Sequence, residues 1–290
     1  MTLNLVYPAY SDIKYEKIKY PDGQVSIKFL DTLEEDLWNG TGLLADLPNE
    51  VEIKSRMNSY EDLILIMAAN SVLSKYTKVS LFCPYIFASR SDSAFSLNQS
   101  FDLKIVTNLL NSCNFQKITI YDPHSGVLPA LLDTNVVIRS QYDWLIESIA
   151  NTNLTPLKQL TDSIREVVLI SPDAGAYKKI FSLGEKSRMP IVTCNKYRDV
   201  KGNITLNIEG DVTDKVCCII DDICDGGATF DILGQKLKEK GAFKVNLFVT
   251  HGIFSKGVIP NVDFVWTTNS IADKIDSTPA QLCYRTNIFK

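Results

Sequence analysis

Residues 216–230 read VCCIIDDICDGGATF, and this stretch indicates the class of fold more directly than any other part of the chain. Five consecutive apolar residues predict a central parallel strand that is covered on both faces. Two carboxylates, Asp221 and Asp222, follow the apolar run, and a glycine-containing segment then leads into a helical pattern. The stretch therefore predicts a buried strand, an acidic turn and the start of a helix.

The turn in this stretch is suited to binding an anion. Gly226 and Gly227 allow backbone N–H groups to approach a phosphate at the start of a helix, where unpaired amides and the helix dipole favour negative charge. The neighbouring carboxylates suit sugar hydroxyls or a divalent cation, so a phosphorylated sugar satisfies both halves of the stretch. An alternative interpretation is that the glycines only form a tight strand-to-helix turn, with Asp225 as the N-cap.

Length and composition exclude several classes of protein. The 290 residues are 45% hydrophobic, enough for two domains of ordinary size. The formal net charge of −4 argues against a nucleic-acid-binding surface, so no nucleic-acid partner is expected. No apolar stretch approaches the length of a membrane span, and the N-terminal residues lack the features of a signal peptide. We expect a cytoplasmic protein with no membrane partner.

The seven cysteines carry little functional information. They form no pair with metal-ligand spacing, and four of them lie in or beside strand-like runs. We therefore expect free, buried thiols rather than disulfides or a metal site.

Strand and helix patterns alternate along the chain. Strands are predicted at residues 50–57, 78–86, 117–122, 166–171, near 190 and 204, and at 244–250, with helices between them. Ser59 and Asp62 predict a capped helix start. Such alternation is typical of βαβ units and parallel sheets. The segment 140–160 has few strand signals, so we expect two similar α/β domains with a boundary there.

Residues that directly follow strands are candidates for ligand binding, because ligands of open α/β sheets bind at the carboxyl ends of the strands. His124 follows the strand at 117–122, and Asp173 follows the strand at 166–171. Asp173 is a candidate Mg²⁺ ligand, because this ion prefers one or two carboxylates together with phosphate oxygens. The alternatives are a turn histidine bonded to backbone and a helix-capping aspartate.

Several motifs in order resemble one enzyme family. The segments YDPHSG, SPDAGAYKK, NKYRDVKGN, IIDDICDGGATF and VTHGIFSKG are similar in order and spacing to those of the ribose-phosphate pyrophosphokinases, the phosphoribosyl pyrophosphate synthetases. KYPDGQVSIKF resembles that family's nucleotide-binding loop. The likeness runs from about residue 17 to 270 and looks closest to the phage-encoded branch. It implies two type I phosphoribosyltransferase-like domains, residues 1–143 on the ATP side and 144–290 on the ribose phosphate side.

The resemblance implies a reaction and the residues that bind the sugar. The anomeric hydroxyl of a ribose phosphate attacks the β-phosphorus of ATP and AMP leaves, which is chemistry that depends on positioning and charge neutralisation. By this likeness Asp221 and Asp222 hold the ribose 2- and 3-hydroxyls. The 5-phosphate is bound by the turn residues Asp225, Gly226, Gly227, Ala228 and Thr229.

The resemblance also implies catalytic and metal-binding residues. Lys196 and Arg198 lie in a polar segment that we expect to be mobile, and in the family such a pair closes over the phosphates as AMP departs. The alternative is a solvated basic loop. His124 and Asp173 are implied to position Mg²⁺ and the transferred group, with His124 also counted as catalytic.

On the ATP side, the resemblance implies five contact residues and an assembly. These residues are Tyr20, Asp22, Gln24, Arg90 and Asp92. Family members build the ATP site from two protomers, so a homo-oligomer, either a dimer or a hexamer, is expected. If the protein is phage-encoded, it is expected in the host cytoplasm.

The chain departs from the family pattern at informative positions. Ser91 and Ser93 replace a glutamine and an arginine of the family, and Gln24 replaces a glutamate. In the phosphate turn, DTGGT becomes DGGAT, so a threonine hydroxyl is lost at Gly226 and a methyl group is gained at Ala228. Loss of that hydroxyl removes a contact to a terminal monophosphate. This departure suggests an acceptor extended at the 5-position, such as ADP-ribose. The resemblance to phage relatives that rebuild NAD from its breakdown products implies a link to NAD synthesis.

Two alternatives from other classes stay open. A phosphoribosyltransferase uses the same acidic turn but needs only one such domain, and the upstream nucleotide loop argues against it. A catalytically silent regulatory homologue keeps both domains and loses charged site residues. Ser91, Ser93 and Gln24 fit that reading weakly, whereas the presence of Lys196 and Arg198 argues for an active enzyme.

Overall fold

The computed structural model describes residues 1–30, 47–94, 96–141, 143, 165–173, 176–198, 204–257, 259–273 and 282–289. The chain divides into two compact units. One contains Met1–Arg139 together with Phe289, and the other contains Ser140–Ile288. The division falls after Arg139, whereas the sequence-based boundary was placed after residue 143 with Phe289 in the second domain. Phe289 belongs to the first unit because its ring packs among aromatic side chains there.

The first unit is built on a parallel sheet with an added hairpin. Its strands are β1 (Thr2–Asn4), β2 (Tyr15–Lys19), β3 (Val25–Phe29), β4 (Glu50–Lys54), β5 (Lys78–Phe82), β6 (Lys117–Tyr121) and β7 (Asn135–Arg139). The sheet order is β1-β4-β5-β6-β7, and all neighbours are parallel. β2 and β3 form a separate antiparallel pair. The order follows the chain without reversal among these strands.

Three helices are described in the first unit: α1 (Tyr60–Leu73), α2 (Asp102–Asn111) and α3 (Val127–Ala130). The predicted start of α1 is confirmed, because Ser59 Oγ accepts from the Asp62 N–H at 3.2 Å. The Asp62 carboxylate in turn accepts from the Asn58 N–H at 2.8 Å. This reciprocal capping satisfies amides that a helix start leaves unpaired. Leu63 and Ile66 of α1 are fully buried in the core of the unit.

The second unit has a larger sheet. Its strands are β8 (Val167–Ser171), β9 (Ile191–Arg198), β10 (Ile204–Glu209), β11 (Val216–Cys224), β12 (Lys244–Gly252), β13 (Phe264–Thr268) and β14 (Leu282–Thr286), and its described helices are α4 (Tyr177–Ser187) and α5 (Ala228–Glu239). The order is β10-β9-β8-β11-β12-β13-β14. Neighbours are parallel except β9 and β10.

The strand order of the second sheet reverses between β8 and β11. From β8 the chain proceeds to β9 and β10 on one side, and from β11 it proceeds to β12, β13 and β14 on the other. Connections that leave in opposite directions open a crevice at the carboxyl ends of the two strands, which is the usual ligand position in open α/β sheets. We call this place, formed by the residues after β8 and at the end of β11, the switch point.

The core of the second unit confirms the prediction from the apolar run. Val216 to Ile220 are all buried at the centre of the sheet. Six cysteines are free and buried, and burial raises the pKa of five of them, Cys83, Cys113, Cys194, Cys217 and Cys218. The side chain of Cys283 lies outside the described residues. Among the described helices, none has both the length and the apolar character needed to cross a bilayer.

Candidate functional site

The two adjacent carboxylates lie at the switch point of the second unit. β11 pairs with β8 only from Val216 to Ile219, but its pairing with β12 continues to Cys224. Asp221 and Asp222 therefore extend past the paired part of β8. Side chains alternate along a strand, and Asp222 is 7% exposed whereas Asp221 is partly exposed. Both carboxylates lie at the edge of the sheet where ligands of this fold class bind.

Asp221 is held in an environment that disfavours its charge. Burial, the neighbouring Asp222 and, to a smaller extent, Asp173 raise the pKa of Asp221 to about 8. Its Oδ1 accepts from the Asp222 N–H at 2.9 Å, and its backbone carbonyl accepts from Gln141 Nε2 at 2.9 Å. A site with several acidic groups is suited to hydroxyl donors or a positive ion, because either relieves the like-charge repulsion.

The glycine turn leads directly into α5. Gly227 has φ +75°, a region that suits glycine, and an added Cβ would lie 2.7 Å from Ile259 Cγ1. The first helical residues are Ala228 and Thr229, so amides of the first turn face the turn as they do in phosphate sites. The N-cap residue of α5 is Gly227. The alternative that assigned the N-cap to Asp225 is wrong, because the Asp225 carboxylate instead accepts from Ser255 Oγ at 2.6 Å.

Asp173 lies just after β8, on the other side of the switch point. Its Oδ1 accepts from the Ala176 N–H at 2.9 Å ahead of α4, so one oxygen has the capping role weighed above. The Asp173 side chain is exposed, and its charge acts on Asp221. Ala174 and Gly175 of the same motif lie outside the described residues. The structure thus brings Asp173 close to the acidic pair, as expected for residues after adjacent parallel strands.

Sequence reasoning missed a segment beside the glycine turn. The Ile253 and Phe254 N–H groups donate to the Cys224 carbonyl at 2.8 and 3.2 Å, which ties the end of β12 to the end of β11. Lys256 follows, and its side-chain carbons lie against Gly226. The signal for this segment was present in the motif VTHGIFSKG, but no residue in it was assigned a role. Gln141 was also missed, and nothing local in the sequence indicates its bond to Asp221.

The structure places Lys196 and Arg198 in a strand. Both lie in β9, where Lys196 is paired with Leu206 and Arg198 with Ile204 of β10. The alternative of a solvated basic loop is wrong for the backbone of these two residues, because they pair with β10, whereas their mobility stays a prediction. Residues 199–203 of the same motif, and the side chains of Lys196 and Arg198, lie outside the described residues.

The remaining predicted residues belong to the first unit, where His124 is exposed in the turn between β6 and α3. It follows Asp122, which is 5% exposed and has φ +34°. The turn therefore lies at the carboxyl edge of the first sheet, as expected. The role of His124 in catalysis or metal binding stays a prediction.

Tyr20, Asp22 and Gln24 form the tip of the β2–β3 hairpin. The Tyr20 N–H donates to the Gln24 carbonyl at 2.8 Å, and the Gly23 N–H donates to the Tyr20 carbonyl at 2.9 Å. Asp22 Oδ1 accepts from the Gln24 N–H at 3.0 Å, so this carboxylate shapes the turn. The Tyr20 side chain is 44% exposed. The tip presents an aromatic ring and polar groups to its surroundings.

Arg90 and Asp92 lie in the loop that follows β5. The Ser91 N–H donates to the Ala88 carbonyl at 2.8 Å, and Ala88 has φ +63°. Arg90 is exposed and Asp92 is partly exposed. The structure therefore places both residues after a parallel strand, but their contact with a nucleotide stays a prediction.

The described residues contain no group of three His, Cys, Asp or Glu side chains arranged to hold a metal ion. Mg²⁺ characteristically takes one or two carboxylates and completes its shell with water and substrate phosphates. The acidic residues at the switch point, Asp173 and Asp221, are compatible with that mode of binding. No protein cage for a metal is required.

Comparison with known sequences gives a consistent set of relatives. A sequence model described as "Phosphoribosyl synthetase-associated domain" matches residues 182–281. The chain is 26% identical over 206 residues to a ribose-phosphate pyrophosphokinase of Agrobacterium fabrum, covering 69% of this chain and 62% of the relative. It is 27% identical over 237 residues to one of Caulobacter vibrioides, covering 78% and 70%. The chain thus spans less than two thirds of the A. fabrum relative.

Comparison with solved structures shows the fold. The structure is similar to that of a phosphoribosylpyrophosphate synthetase from Mycobacterium smegmatis, with a TM-score of 0.75 and 17% sequence identity. The likeness covers 96% of this chain and 88% of that one. The predicted α/β class, with two phosphoribosyltransferase-like domains of mainly parallel sheet flanked by helices, is confirmed.

Proposed function

Because the chain belongs to the ribose-phosphate pyrophosphokinase family, we propose that it transfers the β,γ-diphosphoryl group of ATP to the anomeric hydroxyl of a ribose 5-phosphate moiety. A bond forms between the anomeric oxygen and the β-phosphorus. The bond between that phosphorus and the oxygen bridging to the α-phosphate breaks, AMP leaves with the bridging oxygen, and the hydroxyl proton passes to solvent. The observation that supports this most strongly is the acidic pair beside a glycine turn at a switch point.

The sugar-binding half of the reaction is assigned to the second unit. Asp221 and Asp222 accept hydrogen bonds from the ribose 2- and 3-hydroxyls, which fixes the ring against the end of β11. The turn from Asp225 to Thr229 binds the 5-phosphate with backbone amides at the start of α5, helped by the helix dipole. Contacts to both the hydroxyls and the 5-phosphate fix the orientation of the anomeric oxygen. Orientation of the reacting atoms is a large part of phosphoryl-transfer catalysis.

Mg²⁺ is proposed as the metal, bound together with ATP. When bound, the ion neutralises charge on the transferred phosphates. Asp173 is the protein ligand best supported by the structure, because it is exposed beside the acidic pair. His124 is proposed as a second positioning group from the first unit. A cation near Asp173 would also lower the pKa of Asp221 and so favour its charged form.

Lys196 and Arg198 are proposed to stabilise the negative charge that develops as AMP leaves. Fixed cations are effective at this step because they complement charge that is larger in the transition state than in the substrate. The support is the likeness of the motif NKYRDVKGN to the family, together with the place of both residues in β9 of the second unit.

The nucleotide is proposed to bind residues of the first unit. Tyr20 offers an exposed ring for adenine, and Asp22 and Gln24 offer polar groups at the same tip. Arg90 and Asp92 are proposed to bind the polyphosphate and its metal. A homo-oligomer that completes the ATP site across protomers follows from the family, and light scattering coupled to gel filtration tests it.

The acceptor is proposed to be ribose 5-phosphate or a form extended at the 5-position, such as ADP-ribose, with a role in nucleotide or NAD synthesis. Gly226 supports the extended form because it lacks the hydroxyl side chain that the family pattern has at this position. The test is AMP release from ATP with each acceptor, with chromatographic identification of the product. If AMP is released with ribose 5-phosphate but not with ADP-ribose, the extended acceptor is wrong and the proposed type of reaction is still supported.

The free, buried cysteines support a reducing compartment, and we propose the cytoplasm as the location. We expect the buried thiols with raised pKa values to react slowly with mild oxidants. This follows because thiols with raised pKa values hold little reactive thiolate at neutral pH.

Replacement of Lys196 by alanine tests the proposed activity. We expect a loss of AMP formation of at least about a thousandfold, because one charge-stabilising donor is typically worth 10² to 10³ in rate and this cation also orients the phosphates. The circular dichroism spectrum and the unfolding midpoint stay unchanged. Lys75→Ala, at an exposed lysine of the first unit, is the control and retains activity.

Three results contradict different parts of the proposal. Wild-type protein that forms no AMP with either acceptor is the result expected of a silent regulatory homologue. An unchanged rate in Lys196→Ala, with active wild type, removes the assigned role of Lys196 and leaves the reaction type intact. A product that carries a nucleobase in place of the pyrophosphate indicates a phosphoribosyltransferase.

A further inference from the structure

The space beside Gly226 is occupied by a lysine. A Cβ added to Gly226 would lie 3.4 Å from Lys256 Cδ, 3.5 Å from Cε and 3.7 Å from Cγ. These are ordinary packing distances, so the aliphatic part of Lys256 passes over the turn at the position where a larger side chain would begin. The loss of a threonine side chain at Gly226 and the presence of this lysine are therefore two parts of one local arrangement.

The backbone that carries Lys256 is anchored beside the turn. The Ile253 and Phe254 N–H groups donate to the Cys224 carbonyl, and Ser255 Oγ donates to Asp225 Oδ1 at 2.6 Å. The Gly257 N–H donates to the Phe254 carbonyl at 2.9 Å, which closes a tight turn around Lys256. These bonds hold the start of the lysine side chain in place before any ligand binds, and such pre-organisation lowers the entropy cost of binding.

The charge of Lys256 is available to a ligand. None of the ion pairs found within the described ranges involves Lys256, and its side chain is exposed. Lys256 Cε lies 3.5 Å from the Cβ position of Gly226, so the ammonium nitrogen, one bond further along, lies close to the turn. A phosphate bound to the turn amides would therefore have the Lys256 ammonium group nearby as a separate donor for a second phosphate attached to it.

We propose that Lys256 binds the second phosphate of an acceptor that carries a diphosphoryl group at the ribose 5-position, and so selects such acceptors over ribose 5-phosphate. The proposal rests on the proposed function of the sugar site and identifies a specificity-determining residue within it. The turn amides hold the phosphate attached to the sugar. Lys256 holds the next one, where the family's threonine hydroxyl would instead contact a terminal monophosphate.

The test measures binding with two matched probes, ribose 5-phosphate and ribose 5-diphosphate, which lack adenosine and so do not engage an adenine site. Isothermal titration calorimetry of Lys256→Gln, which keeps most of the stem and removes the charge, is expected to show about tenfold weaker binding of the diphosphate. Binding of the monophosphate changes by less than about twofold. Lys236→Gln, at an exposed lysine on α5, leaves both affinities unchanged.

Steady-state kinetics with ADP-ribose give a second measurement. Lys256→Gln is expected to raise KM about tenfold with kcat nearly unchanged, because the charge acts on a part of the acceptor remote from the reacting oxygen. Lys256→Arg restores part of the loss. A merely structural role of the lysine would change both acceptors equally and would not be rescued by arginine.

The reverse substitution tests the link between the two positions. Gly226→Thr introduces the family's side chain and pushes the flexible lysine stem aside, which the backbone tolerates because Gly226 is not among the residues with positive φ. We expect the preference to move toward ribose 5-phosphate. Asp222→Ala is the control that shows where the probes bind. It is expected to abolish binding of both probes if they occupy the proposed sugar site.

The outcomes separate this proposal from the reaction itself. Equal affinity of wild type and Lys256→Gln for ribose 5-diphosphate overturns the role of Lys256, whichever acceptor the enzyme uses. If Lys256→Gln weakens the binding of both probes to the same degree, the proposed selectivity for the diphosphate is wrong. Absence of AMP with any acceptor, while the binding difference persists, overturns the reaction and leaves the Lys256 assignment standing.

Discussion

The two units share a parallel α/β architecture but differ at the carboxyl edges of their sheets. In the second unit the strand order reverses between β8 and β11, and acidic and glycine residues occupy the edge. In the first unit the order β1-β4-β5-β6-β7 follows the chain, and the edge is filled by an aromatic cluster of Tyr7, Arg56, Phe82, Tyr121 and Phe289. The ends of β5 and β6 therefore form a packed edge, with the proposed ligand residues Arg90, Asp92 and His124 in the loops beyond it, whereas the ends of β8 and β11 form the proposed binding edge.

The aromatic cluster explains why the edge of the first unit is packed. Phe289 is 1% exposed and meets Phe82 edge-on with ring centroids 5.6 Å apart. The Arg56 guanidinium lies 5.4 Å from the Phe289 ring and 5.8 Å from the Tyr7 ring. Cations over aromatic faces and edge-to-face rings are both favourable. A residue from the C-terminus thus occupies the kind of position where, in the second unit, a ligand is proposed to bind.

The largest expected effect comes from opening the aromatic cluster. Phe289→Ala removes a fully buried ring, and we expect the free energy of unfolding of the first unit to fall by about 3 kcal/mol. Hydrogen exchange followed by mass spectrometry measures this in the amides of β5 and β6, separately from the second unit. Phe181→Ala, at a phenylalanine that is 45% exposed, is the control. Unchanged protection of β5 and β6 would show that the cluster contributes little.

A smaller effect is expected from the glycine turn of the second unit. Gly227→Ala forces a side chain into positive φ and against Ile259, and should lower the free energy of unfolding by about 1–2 kcal/mol. Gly226→Ala is the matched control, because its new methyl group meets only the flexible stem of Lys256, and should change stability by less than about 0.5 kcal/mol. Urea unfolding of both variants checks this. Equal destabilisation would contradict the described geometry.

The smallest expected effect is the pH dependence that Asp221 adds. Its pKa is raised to about 8 in the folded protein from an ordinary 3.8, so the wild type loses stability as pH rises between these values. Asp221→Asn removes this slope. We expect the variant and the wild type to be about equally stable near pH 4, and the variant to become progressively more stable than the wild type as the pH rises toward 8 without ligand. Urea unfolding at several pH values, with Glu239→Gln as the exposed control, measures the difference.

A pH-independent difference between Asp221→Asn and wild type would contradict the raised pKa. Addition of Mg²⁺ and ribose 5-phosphate should reverse the sign, because the wild-type carboxylate then has hydroxyl donors and the amide does not. This comparison distinguishes a binding edge, which is destabilised until it is filled, from the packed edge of the first unit.

Local features of the fold were predictable from the sequence because neighbouring residues determine them. The capped start at Ser59 and Asp62 follows from residues three apart, and the buried strand at Val216–Cys224 follows from a run of apolar side chains. The position of Asp173 after a strand was predictable in the same way, but the acidic turn expected at Asp221 and Asp222 is wrong, because pairing with β12 continues β11 through both residues to Cys224. The proximity of Asp173 to the acidic pair followed from the general rule for parallel sheets.

Features that depend on distant residues were missed or wrong. A solvated basic loop was the alternative at Lys196 and Arg198, but pairing with β10 places both residues in β9. The N-cap of α5 was assigned to Asp225 in one interpretation, but Ser255, thirty residues away, binds that carboxylate instead. The burial of Phe289 in the first unit had no local signal either. Each of these outcomes is set by a partner that sequence patterns do not identify.

The sequence alone determined the succession of strands and helices, the acidic pair and the glycine turn, because these depend on side-chain periodicity and backbone freedom within a few residues. Only the tertiary structure decided the strand order of each sheet, and with it which carboxyl edge carries a switch point. It also decided that Lys256 takes the space beside Gly226 and that Phe289 fills the other edge. These outcomes depend on contacts between residues far apart in the chain, whose packing energies are realised only when the whole unit has folded.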